Sequence, residues 1–77
     1  MKRFLKADLP DAIAEQLTMI LRDAGSPCVK TGPNVHTIPV MTEFLSRVEI
    51  EEEFRERALQ AIEEARLTGI AFAEAAS

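Results

Sequence analysis

Residues 42–66, TEFLSRVEIEEEFRERALQAIEEAR, constrain the fold more than any other stretch. Phe54, Ala58, Ala61, Ile62 and Ala65 recur at the helical period while glutamate dominates the opposite side, so the spacing predicts a long acidic amphipathic helix. Ser46 followed three residues later by Glu49 has the form of a capping box, which sets the main helix start at Ser46 and leaves residues 41–45 as a separate turn. A helix over 46–67 is about 33 Å long. Glu51 with Arg55, and Glu53 with Arg57, lie four apart with the acid N-terminal, and each such pair adds about 0.2–0.5 kcal/mol on an exposed helix. Thr68 and Gly69 are expected to end the helix, and IAFAEAAS follows as a tail with Ile70 and Phe72 available to dock. A stripe this long on a chain of 77 residues calls for a partner surface.

Upstream, residues 2–9 (KRFLKADL) place Leu5, Ala7 and Leu9 on one side and predict a short strand. Pro10 suits the first turn of a helix, and Asp8 or Asp11 could cap it. Over 11–24 the apolar positions Ile13, Leu17, Ile20 and Leu21 recur at helical spacing beside Ala14 and Met19, and Gly25, reinforced by Ser26 and Pro27, stops the helix. Residues 25–34, GSPCVKTGPN, read as a loop. Residues 35–40, VHTIPV, are β-branched, but Pro39 confines them to an edge strand or an extended linker. The expected fold is mainly α: two to three helices with a short N-terminal strand and a possible short strand at 35–40. It forms one domain over 1–77, with strand plus helix in 1–25, loop and extended segment in 26–40, and the long acidic helix and tail in 41–77.

A chain of this length buries only roughly 60–65% of the surface it exposes when unfolded, so a dimer is expected. One cysteine, Cys28, makes no internal disulfide and one histidine, His36, builds no closed zinc site, which together favour a cytoplasmic setting. The opening residues MKRFLKADLP lack the apolar core of a secretory signal, and no apolar run approaches the ~18 residues of a membrane span. The formal charge of −4 is uneven: residues 1–30 carry five Lys or Arg against four Asp or Glu, and residues 31–77 carry four against nine. That acidic half is repelled by a polyphosphate backbone, so any nucleic-acid contact falls to the N-terminal end.

Cys28 and His36 are the only candidates for a nucleophile with its base, and they read as a structural thiol and a surface imidazole. Thr31, Gly32 and Pro33 lack the further glycines and lysine of a phosphate-binding loop. Glu49, Glu52, Glu53 and Glu56 have three- and four-residue spacings but no accompanying Glu-x-x-His pattern, so no metal and no cofactor are expected. The chain does not read as an enzyme. Phe4 lies among Lys2, Arg3 and Lys6, but Phe44, Phe54 and Phe72 sit in acidic or apolar contexts, and Phe4 reads as a packing or dimer-contact residue rather than a base-stacking platform.

Residues 2–25, KRFLKADLPDAIAEQLTMILRDAG, resemble the opening of a ribbon-helix-helix protein, in which a short strand ends in Leu-Pro and a glycine closes the first helix. Residues 53–76, EFRERALQAIEEARLTGIAFAEAA, resemble the toxin-binding C-terminal region of small ParD-type antitoxins. The resemblance implies a type II antitoxin whose N-terminal strands pair between two chains, with Phe4, Lys6 and Asp8 projecting outward and Lys6 alone suited to DNA. It departs from the family at residues 25–40, which intervene where the family has a brief turn. The function expected is that of a non-enzymatic protein-binding regulator. Phe54, Ala58, Ile62 and Ala65, extended by Ile70 and Phe72, would occupy a groove on a basic partner, possible toxin included. Two alternatives stand beside it: a DNA-binding regulator acting through Arg3 and Lys6, and a self-associating helical module in which the stripe is a homodimer core.

Overall fold

Alternation at the N-terminus becomes a central strand. In the computed structural model, which describes residues 2–32 and 45–74, β1 spans Phe4–Pro10 and turns Leu5, Ala7 and Leu9 inward. Pro10 ends the strand and starts α1, Asp11–Asp23, whose buried positions Ala14, Leu17, Thr18 and Leu21 follow the helical period. Thr18 is tolerated there because its hydroxyl donates to the Ala14 carbonyl at 2.7 Å. Gly25, at φ +78°, takes the left-handed position after α1. The Gly25 and Ser26 amides then donate to the Arg22 and Leu21 carbonyls at 3.1 and 2.8 Å, a Schellman closure.

Three further strands overturn the mainly helical expectation. β2 is Cys28–Thr31, inside the segment read as a loop; β3 is Leu45–Glu51; and β4 is Ala73–Glu74. Of the described residues 43% are helical and 33% are in strands, so the chain is an α/β fold. The expected extended segment at 35–40, His36 and Phe44 lie outside the described residues. The long helix is broken into β3, a single 3-10 turn at Glu52–Phe54, and α2, Arg55–Glu64. The physical reason lies in Ser46, Val48 and Ile50, which alternate with Arg47, Glu49 and Glu51 at the period of two and bury one side of a strand. Ser46 is therefore no helix cap: its buried hydroxyl donates to Asp11 Oδ1 at 2.7 Å. Nor does Glu51 support a helix, since its carboxylate meets Lys2 Nζ at 3.0 Å. α2 also stops early. Arg66, at φ +58°, takes the left-handed position that closes the helix short of the expected end at Thr68 and Gly69, and the Arg66 and Leu67 amides donate to the Glu63 and Ile62 carbonyls at 3.0 and 3.2 Å.

The strands form one antiparallel sheet in the order β2-β3-β1-β4. With the element order β1-α1-β2-β3-α2-β4, this is the ferredoxin-like connectivity of two interlocked split βαβ units. Leu5, Ala7, Leu9, Val48 and Ile50 from the sheet meet Ala14, Leu17 and Leu21 of α1 and Ala58, Ala61 and Ile62 of α2 in one core. Ile70 and Phe72 pack against its margin as the chain returns to β4. Because both helices bury their stripes in this core, the opposite face of the sheet is left bare among the described residues.

Candidate functional site

The acid-rich surface sits on the 3-10 turn and α2. Glu52, Glu53, Glu56, Glu63 and Glu64 are all exposed, and against Arg55 and Arg57 they leave this segment at −3 of the chain's −4. Leu59 stands among them at 40% exposure. As a helical neighbour of Arg55, Glu56 and Glu63, it gives the face an apolar centre with a charged border. Beside it, Glu53, Phe54, Glu56, Arg57 and Gln60 line a shallow depression of about 350 Å³.

The residues expected to meet a partner are divided by the fold. Ala58 and Ile62 are 0% and 6% exposed and belong to this chain's own core, while Phe54 is half-buried and Ala65 is exposed. Ile70 and Phe72 are half-buried against that same core. Leu59, on the outer side of α2, falls off the apolar stripe, so helical spacing alone does not mark it; once the stripe faces inward, an off-stripe leucine is what remains outside.

At the N-terminal end, Arg3 is exposed and its carbonyl accepts the Glu52 amide at 2.8 Å. Lys6 lies on the bare face with Nζ 3.9 Å from Asp8 Oδ2 and with Glu49 opposite it on β3. β1 pairs with β3 on one side and β4 on the other. It thus has no free edge at Leu5 and Lys6, where a strand-to-strand pairing between two chains would form.

Two polar clusters have structural explanations. Asp11 Oδ1 receives Lys30 Nζ at 2.8 Å and the Ser46 hydroxyl at 2.7 Å, with Glu15 3.8 Å from the same ammonium. The Lys30 and Ser46 hydrogen bonds hold the Asp11 carboxyl below its ordinary range, and the Asp11 bond holds the Lys30 ammonium above its own. This cluster ties the start of α1 to β2 and β3. Cys28 is a free, half-buried thiol whose Sγ donates to the Thr18 carbonyl at 3.7 Å. Burial pushes the thiol up, against the opposing charge of Arg22, which lowers its thiolate fraction and makes it a poor nucleophile.

No helix among the described residues is long and apolar enough to cross a membrane. Comparison of the chain with known protein families, curated proteins and solved structures finds no match.

Proposed function

We propose that this chain is a non-enzymatic protein-binding regulator, antitoxin-like in the sense that it neutralises a basic protein partner, and that it works in the cytoplasm. The observation that carries this reading is the exposed Leu59 within the −3 segment of Glu52–Phe54 and α2. The outer face of α2 offers an apolar anchor for a groove, and the surrounding glutamates steer a cationic partner and fix its orientation. The contact surface is thus the solvent side of the helix, with Leu59, Glu56 and Glu63 at its centre.

The test is capture of a partner from lysate of the source cells by the immobilised full chain at low and high salt. The expected result is a basic protein that is retained at low salt and released as salt rises. Glu56→Lys with Glu63→Lys should abolish retention, while Glu15→Lys on α1 should leave it intact. A chain that retains nothing at low salt, or retains the same protein after both α2 reversals, removes this reading.

A further inference from the structure

We propose that the bare face of the sheet is the interface between two copies of this chain, packed with their strands antiparallel about a two-fold axis that crosses the strands. The strand register sets a charge pattern on this face that supports the pairing. Lys6 pairs with Glu49 and Asp8 with Arg47 across β1 and β3, and all four side chains point away from the core. The result is a square of alternating sign at the centre of the face: plus and minus in one row, minus and plus in the next. Its net charge is zero on a molecule of −4.

Such a square is complementary to itself. A half-turn about an axis lying in the face and crossing the strands between the two rows places Lys6 of each copy over Asp8 of the other, and Glu49 over Arg47. No such match occurs for two uniformly acidic surfaces. The same rotation sets Phe4 over the other copy's Pro10 at both ends of β1. It thereby covers Phe4, which stands 42% exposed although the chain has only four phenylalanines and no tryptophan or tyrosine. Two sheets stacked roughly 10 Å apart and aligned within about 30° give this geometry. The seven residues of β1 and of β3 run for roughly 23 Å. The face is small by the standard of stable dimers, so the association is weak and reversible.

The intramolecular contacts fit this role. Asp8 already meets Arg47 Nε at 3.2 Å and Lys6 Nζ at 3.9 Å, which holds the charged groups in place before a second copy arrives and reduces the ordering they lose on contact. This surface is separate from the outer face of α2, so a dimer leaves Leu59 and its glutamates free.

The test uses sedimentation equilibrium of the full chain from about 1 µM to about 1 mM, a range that spans weak dissociation constants. The unmodified chain should approach twice its 8.5 kDa at the upper end and dissociate as salt rises. Lys6→Glu alone sets two carboxylates over each other, and Asp8→Lys alone sets two ammonium groups together; each should weaken self-association by on the order of tenfold or more. An equimolar mixture of the two variants restores opposite charge at both contacts and should form a heterodimer at least as tight as the original. Circular dichroism of each variant separates loss of association from loss of folding. A chain that stays monomeric at about 1 mM overturns the proposal and leaves the face to another occupant. A dimer indifferent to both single changes also overturns it by locating the contact elsewhere. A mixture that fails to associate overturns the assigned axis, because a two-fold along the strands would instead oppose position 6 to Glu49.

Discussion

Arg66 is the residue most at odds with its backbone. It holds φ +58° with its amide bonded to the Glu63 carbonyl, a position that costs a side-chain-bearing residue about 1–2 kcal/mol and costs glycine little. Arg66→Gly should therefore raise stability by about 1 kcal/mol, seen as a rise of roughly 4–8 °C in the thermal midpoint for a domain of this size; an unchanged or lower midpoint contradicts the left-handed closure. Asp11 sets a pH dependence. Its pKa is depressed in the folded chain by Lys30 and Ser46, so its contribution is present above the ordinary carboxylate range near 4 and is lost as pH falls through the depressed folded value. Lys30 is the opposite case, with a raised pKa and a contribution lost only in strong alkali. Asp11→Asn should flatten the acid limb of a stability-against-pH curve while leaving its slope between pH 6 and 8 unchanged, roughly the interval where neither group titrates. A variant with an unaltered acid limb would show that Asp11 carries no such linkage.

Among the elements, α1 was legible and β3 was not, and the difference has a physical source. α1 has thirteen residues, enough turns for Ile13, Leu17, Ile20 and Leu21 to show the helical spacing, with Pro10 and Gly25 marking its ends, although the face it buries is Ala14, Leu17, Thr18 and Leu21 and Ile13 is left exposed. β3 has seven, and its alternating Ser46, Val48 and Ile50 run directly into the glutamates and the helical spacing from Phe54 onward. The capping-box spacing of Ser46 and Glu49 is shared by a strand that buries a serine and half-exposes a glutamate. Burial within α1 makes a graded prediction. Leu17 is fully buried and Met19 is 67% exposed, so Leu17→Ala should cost about 2–5 kcal/mol and Met19→Ala within about 0.5 kcal/mol, measured by denaturant unfolding. Equal costs would mean that α1 presents a different face to the core.

At the scale of the whole molecule, long-range pairing determines which residues are protected. β1 is hydrogen-bonded on both sides, to β3 along its length and to β4 at Leu5 and Lys6, whereas Ala73 and Glu74 form a two-residue edge. Native-state amide exchange should be slowest in β1 and β3 and fastest in β4; slowest exchange in α2 would contradict the sheet-centred core. The two proposed contact surfaces also arise at this scale. The outer side of α2 became a candidate because the core took Ala58 and Ile62, and the charge square exists only because strands distant in sequence align Lys6 with Glu49 and Asp8 with Arg47.

The sequence by itself determined the short-range features: the inward alternation of Leu5, Ala7 and Leu9, the span of α1, the stop at Gly25, and the concentration of acid in the C-terminal half. These depend on periods and backbone preferences that a few consecutive residues express alone. Only the tertiary structure decided that residues 45–51 are a strand, that residues 28–31 pair beside it, and that the apolar side of α2 is core rather than interface. Those outcomes depend on β1 lying beside β3. That pairing joins residues at least thirty-five positions apart, and its free energy comes from contacts between segments that no local pattern connects.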